Sequence, residues 1–75
     1  MTLELFHRLS EPESAQARRL VLDLGLLDAV QFRNVGFDAH AASLAGLGGG
    51  RTPALWDGAR LYEGIDAIRS ALGRR

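Results

Sequence analysis

A short polar segment near the start of the chain holds the side chains best suited to chemistry. Ser10, Glu11, Glu13 and Ser14 lie around Pro12. Hydroxyls can act as nucleophiles and carboxylates can transfer protons. Glu11 and Glu13 are two positions apart, however, and residues at that spacing do not face each other on a helix, so they make a poor acid and base pair. Acidic side chains in a first helical turn are explained more simply by their favourable interaction with the helix dipole.

The composition excludes several other kinds of chemistry. The chain has no Cys, which excludes thiol nucleophiles, dithiol exchange, disulfides and thiolate metal sites. It has no Lys, which excludes Schiff-base catalysis and a phosphate-binding P-loop. The two histidines, His7 and His40, match no metal-binding spacing, and no Gly-x-Ser-x-Gly elbow is present. We therefore expect no metal site and no hydrolase triad.

Length and charge limit the possible partners. Seventy-five residues, 47% of them apolar and 24% charged, predict one small globular domain over residues 1–75. The formal net charge is zero, which disfavours nucleic-acid binding and attachment to an anionic membrane. No apolar run approaches the roughly 18 residues of a membrane span, and no signal-peptide pattern opens the chain, so we expect a cytoplasmic protein.

Hydrophobic periodicity predicts seven elements that would position the polar segment. They are a strand over residues 2–7, a helix from Ser10 to Gly25, a strand over 30–35, a helix over 38–47, strands over 52–56 and 59–62, and a helix from Ile65 to Leu72. Residues 73–75 are expected to form a frayed tail. On the first helix, the apolar face comprises Ala17, Leu20, Val21, Leu24 and Leu27.

Local signals fix the ends of these elements. Ser10 and Glu13 have the spacing of a capping box, and Asp38 can cap the second helix. Gly25 is suited to end the first helix. Residues 57 and 58, Asp-Gly, predict a hairpin.

The order of elements predicts an α/β fold. A strand, helix and strand in succession form a right-handed unit whose two strands are parallel, and the hairpin adds an antiparallel pair. The expected architecture, β-α-β-α-β-β-α, is a small mixed four-stranded sheet flanked by helices.

This element order, with a proline at the opening of the third strand, resembles the thioredoxin fold. Residues 5–14, with a helix ending at 24–26, look like the opening of a glutaredoxin, where a strand leads into Cys-Pro-aromatic-Cys. That motif falls on residues 11–14, Glu-Pro-Glu-Ser, so only the proline matches. Residues 51–68 are similar to the N-terminal domain of glutathione transferases, with its Pro-x-Leu, acidic-Gly and Glu-Ser-x-x-Ile signatures. Here Glu63 matches the glutamate and Gly64 replaces the serine.

The resemblance implies a ligand-binding cleft. It implies a cis bond between Thr52 and Pro53, with the Thr52 backbone presented to the cysteinyl part of glutathione or to a peptide. It further implies that Glu63 and the Gly64 amide hold the γ-glutamyl end of glutathione, and that Arg8 lies near the glycyl carboxylate. The expected ligand-binding residues are Arg8, Ser10, Glu11, Ser14, Thr52, Pro53, Glu63 and Gly64.

Three functions follow from these residues. The first is a cysteine-free, non-redox module that binds glutathione-like thiols or extended peptides, with no catalytic residue. The second is a minimal glutathione-dependent transferase in which the hydroxyl of Ser10 or Ser14 stabilises the bound thiolate. The third is a structural or protein-interaction role, including a homodimer formed through the exposed edge of the hairpin. Both a monomer and a homodimer are compatible with the sequence.

Overall fold

A computed structural model describes residues 3–74, and the predicted order of elements is confirmed over that range. The elements are β1 (Leu3–His7), α1 (Pro12–Asp23), β2 (Val30–Asn34), α2 (Asp38–Gly46), β3 (Ala54–Trp56), β4 (Leu61–Glu63) and α3 (Ile65–Gly73). The predicted start of the first strand at Thr2 and the end of the tail at Arg75 lie outside the described residues.

The four strands form one mixed sheet in the order β2-β1-β3-β4. β1 pairs with β2 in parallel, with Leu5 opposite Phe32, as the βαβ pattern predicts. β1 also pairs with β3 in antiparallel fashion, with Leu5 opposite Leu55, and β3 pairs with β4 as a hairpin. The expected α/β architecture with a mixed four-stranded sheet is therefore confirmed.

One face of the sheet carries the larger core, beneath α1 and α3. Leu3 and Leu5 of β1 are fully buried there because alternate residues of a strand point to the same face. They pack with Val21 of α1 and with Ile68 and Leu72 of α3. Burying a side chain of this size stabilises the fold by roughly 1.5 to 3 kcal/mol.

The opposite face carries a smaller core. Phe6, Val35, Leu44 and Ala54 form it, and Leu44 is the one buried residue of α2. β1 is thus covered on both faces, as expected of a central strand with a nearly continuous apolar sequence.

The end of α1 is confirmed, but part of its predicted apolar face is wrong. Gly25 adopts a φ of +70°, and its amide and that of Leu26 donate to carbonyls of the last helical turn, both at 3.0 Å. Leu24 and Leu27 are about half exposed, at 47% and 51%. Because the helix ends at Asp23 and the chain turns at Gly25, these two leucines no longer share the face that Ala17 and Val21 form.

The predicted side-chain caps are also wrong. Glu11, not Ser10, is the residue before α1, and no side chain caps that helix end. Phe37 precedes α2, and Asp38 lies inside the first turn without a capping bond. At both helices the polar side chain is one position away from where it could reach the free amides.

The strand and helix limits differ slightly from the prediction. Thr52 and Pro53 precede β3, and β4 is displaced towards Glu63 because the hairpin turn occupies residues 57–60. In that turn one Asp57 carboxylate oxygen accepts the amides of Ala59 and Arg60 at 2.8 and 2.7 Å. α3 continues through Gly73, so the expected fraying at that residue is wrong.

Among residues 3–74, no helix is both long and apolar enough to cross a membrane.

Candidate functional site

The predicted site residues lie where two helix N-termini meet the segment before β3. The loop after β1 leads into α1, and the segment of Thr52 and Pro53 approaches the same place because β3 pairs beside β1. The N-terminus of α3 follows directly after β4. The fold thus brings residues far apart in sequence into one region.

The Glu11 cluster comprises Glu11, Ser14 and Thr52. One carboxylate oxygen of Glu11 accepts the hydroxyl of Ser14 at 2.5 Å and the hydroxyl of Thr52 at 2.9 Å. The Ser14 oxygen in turn accepts the Arg8 amide at 3.1 Å. The Ser14 hydroxyl is fully buried and Thr52 is 7% exposed. The cluster therefore links α1 to the segment before β3. The hydroxyl protons of Ser14 and Thr52 are both donated to Glu11.

The segment of Thr52 and Pro53 joins β3 to the start of α3. The bond between Thr52 and Pro53 is cis. The Pro53 carbonyl accepts the Gly64 amide at 2.8 Å, which fixes this segment to the start of α3. Within the described part of the chain, neither the amide nor the carbonyl of Thr52 makes a backbone hydrogen bond. The residue before Pro53 therefore has a backbone amide and carbonyl without a backbone partner among residues 3–74.

The N-terminus of α3 is filled by a side chain of α1. A carboxylate oxygen of Glu13 accepts the Ile65 amide at 2.8 Å and lies 3.6 Å from a guanidinium nitrogen of Arg51. A negative charge at this end of a helix meets free amides and the positive end of the helix dipole. Glu13 therefore does not reach back to the start of its own helix, as a capping box requires, but caps a different helix.

Glu63 is engaged in the same region. One of its carboxylate oxygens accepts the amides of Gly50 and Arg51 at 3.0 and 3.2 Å, and so holds the loop that precedes Thr52. The Gly64 amide donates to Pro53, as described above. The groups that the glutathione transferase resemblance assigns to a γ-glutamyl ligand thus have partners within the chain.

Arg8 and Ser10 lie at the rim of this region. Both side chains are exposed, and Ser10 makes no hydrogen bond to another described residue. The structure brings Glu11, Ser14, Thr52 and Pro53 together, while Glu63 and Gly64 belong to the adjoining loop and helix start. Ser10 is not drawn into either set of contacts.

His7 was not predicted to belong to a site; it is 6% exposed at the end of β1. Its Nδ1 lies 3.0 Å from a guanidinium nitrogen of Arg18, and its ring meets the Phe32 ring edge-on at 5.8 Å. Burial first, and then the charges of Arg18 and His40, lower the pKa of His7. Because an arginine can only donate, Nδ1 must accept, and His7 is neutral with its proton on Nε2. The sequence feature that could have identified His7 as buried is its position at the end of a strongly apolar strand.

The region holds no metal-binding set. Over residues 3–74, no group of three or more His, Cys, Asp or Glu side chains is arranged to hold a metal ion.

Comparison of the chain with protein-family models, with curated proteins and with solved structures finds no match.

Proposed function

We propose that the chain is a thioredoxin-like domain of the glutaredoxin or glutathione transferase N-terminal type, and that it serves as a non-redox binding module. The proposal is supported by the strand order β2-β1-β3-β4 and by the cis bond at Pro53, both of which fit the resemblance in sequence. Its ligands are extended backbones, either a peptide or a glutathione-like thiol.

The unpartnered backbone of Thr52 carries the proposal. An amide and a carbonyl next to a sheet can pair with an extended ligand, which then adds to the sheet as a further strand. The Thr52 side chain is held by Glu11 at 2.9 Å, so the backbone is already oriented before a ligand arrives. Preorganisation of this kind reduces the entropy lost on binding.

The contacts within the site favour a peptide over glutathione. A ligand carboxylate at the start of α3 would compete with Glu13 for the Ile65 amide and for Arg51. A ligand ammonium at Glu63 would meet an oxygen already bonded to two backbone amides. A peptide that pairs only with Thr52 displaces none of these contacts.

The transferase alternative receives no such support. The Ser14 hydroxyl donates to Glu11, so its proton is not directed at a bound thiolate. The carboxylates of Glu11 and Glu13 would also repel a thiolate held between them. An assay with reduced glutathione and a chromogenic electrophile is expected to give the rate of buffer alone.

The test is an NMR titration of isotope-labelled protein with a blocked tetrathreonine peptide, up to millimolar concentration. We expect saturable shifts centred on the Thr52 amide, with a dissociation constant of about 1 mM, since a Kd of that size needs only about 4 kcal/mol. The matched control is the same peptide with every backbone nitrogen methylated. It keeps the side chains and loses the amide donors, so it is expected to cause no shifts at Thr52.

A second titration uses reduced glutathione. We expect glutathione to produce weaker shifts at Thr52 than the peptide does. Its charged ends would compete with the contacts that Glu13 and Glu63 already make within the chain. Equal shifts from the methylated and unmethylated peptides would show that backbone pairing is not the mode of binding, and the proposal would fail.

A further inference from the structure

β2 lies at one edge of the sheet, and some of its backbone amides and carbonyls point away from β1, its one neighbour in the sheet. The Leu3 amide donates to the Ala29 carbonyl at 3.1 Å, and the Val35 amide donates to the His7 carbonyl at 2.9 Å. In a parallel pair this pattern turns the amides and carbonyls of alternate residues towards β1. The remaining groups, those of Val30 and Phe32 and the Asn34 amide, therefore face outward. In the described part of the chain no other strand pairs with them.

This edge lacks the features that keep sheet edges from pairing. Natural edges are protected by charges, prolines, bulges or short length. β2 is five residues long and contains no proline, lysine or acid. Its single charged residue is Arg33. The Arg33 guanidinium donates to a Glu4 carboxylate oxygen at 3.1 Å and to the Gln31 amide oxygen at 2.6 Å. At the centre of β2, Phe32 leaves 36% of its surface exposed.

We propose that β2 pairs in antiparallel fashion with β2 of a second copy of this chain, about a twofold axis at Phe32. The two Phe32 residues would exchange both backbone hydrogen bonds, because their amides and carbonyls both point outward. Each Asn34 amide would donate to the Val30 carbonyl of the other copy. The two four-stranded sheets then become one continuous sheet, and the exposed Phe32 rings meet on one face.

Hydrogen bonding between side chains favours this register with a second copy. With Phe32 at the axis, Arg33 lies opposite Gln31 of the second copy, and its guanidinium already bonds a Gln31 amide oxygen within its own chain. A register centred on Arg33 would place like charges directly opposite each other, which is destabilising. Centring on Phe32 also places each of the five residues of β2 opposite a residue of the second copy. The Asn34 carbonyl already accepts the Phe37 amide at 3.1 Å, so it takes no part in this pairing.

The other edge of the sheet is a weaker candidate. β4 has only three residues, Leu61–Glu63, and the chain turns directly from it into α3. Glu63 is also bonded to the loop before Thr52. The predicted homodimer through the hairpin edge is therefore replaced in this proposal by one through β2.

Sedimentation velocity of the intact chain across a hundredfold range of concentration tests the proposal. We expect a reversible dimer whose fraction rises with concentration. Phe32→Lys places two ammonium groups at the axis and should weaken association more than about tenfold. Gln31→Arg, at an exposed position that no core contact requires, should do the same by opposing Arg33 of the other copy. Phe37→Lys, which also replaces an exposed phenylalanine but lies outside β2, should leave association unchanged.

Because the chain has no Cys, a single introduced thiol reports the register. Residues that exchange both hydrogen bonds in an antiparallel pair have Cα atoms about 5.5 Å apart, within the range of a disulfide. Phe32→Cys should therefore form a disulfide-linked dimer on oxidation, and Phe37→Cys should not. A monomer at every concentration would overturn the proposal. So would a dimer that persists in both Phe32→Lys and Gln31→Arg, or one that cross-links equally at both cysteine positions.

Discussion

Glu13 links two helices, and its removal should cost more stability than its place on the surface suggests. Its carboxylate accepts the Ile65 amide at 2.8 Å, at the start of a helix that no other side chain caps. A hydrogen bond to a charged group contributes about 1.5 to 3 kcal/mol, and the partly exposed ion pair with Arg51 adds at most about 1 kcal/mol. Because Glu13 is itself partly exposed, we take the lower half of this range. Glu13→Ala should lower the free energy of unfolding by about 1.5 to 2 kcal/mol.

The assay is equilibrium unfolding in urea, followed by the fluorescence of Trp56, the single tryptophan of the chain. Asp66→Ala is the matched control, since Asp66 is also an acid in the first turn of α3 but is fully exposed. We expect a much smaller change in that variant, because Asp66 is fully exposed and water screens its ion pair with Arg69. Glu13→Gln keeps an oxygen acceptor and should lose less than Glu13→Ala. If Glu13→Ala and Asp66→Ala were equally stable, the assignment of Glu13 as the cap of α3 would be wrong.

Further predictions concern pH and glycine. The pKa of His7 is lowered mainly by burial, so the unfolded chain binds that proton more readily than the folded one. Stability should therefore be greatest above about pH 6.5 and should fall as the pH decreases through that value towards the folded pKa. Urea unfolding between pH 8 and pH 5 measures this slope, which His7→Asn should reduce. An unchanged slope in His7→Asn would refute the assignment. Gly64 has a φ of +92°, with Arg51 side-chain atoms 3.3 Å from the position of a Cβ, so Gly64→Ala should destabilise by about 1 to 2 kcal/mol. Gly46→Ala, at a helical position with open space around it, should instead stabilise the fold by about 0.5 to 1 kcal/mol. Thermal unfolding tests both variants: a raised midpoint in Gly64→Ala or a lowered midpoint in Gly46→Ala would contradict the corresponding prediction.

The order of elements and two of the three strand pairings could be predicted because they depend on local patterns. The antiparallel pairing of β1 with β3 joins distant segments and was not predicted. Alternating apolar residues marked β2, and a helix between two strands fixed the parallel pairing of β1 and β2. Gly25 was identified as the end of α1 because glycine commonly follows the last turn of a helix. Its φ of +70° is a conformation that favours glycine.

The contacts of the polar residues could not be predicted in the same way. Ser10 and Glu13 have the spacing of a capping box, but Glu13 finds a stronger partner in the Ile65 amide, 52 positions along the chain. Glu11 likewise joins Thr52, 41 positions away. Such pairings depend on how α1 and α3 pack over the sheet, which no local pattern records. The same packing buries His7 beside Arg18.

The most direct test of the proposed binding module is the detection of intermolecular NOEs in the complex with blocked tetrathreonine. We predict NOEs between the Thr52 backbone protons and the peptide Hα protons, because paired strands bring these atoms together. NOEs confined to residues away from Thr52 and Pro53, in a complex whose shifts nevertheless saturate, would contradict the account.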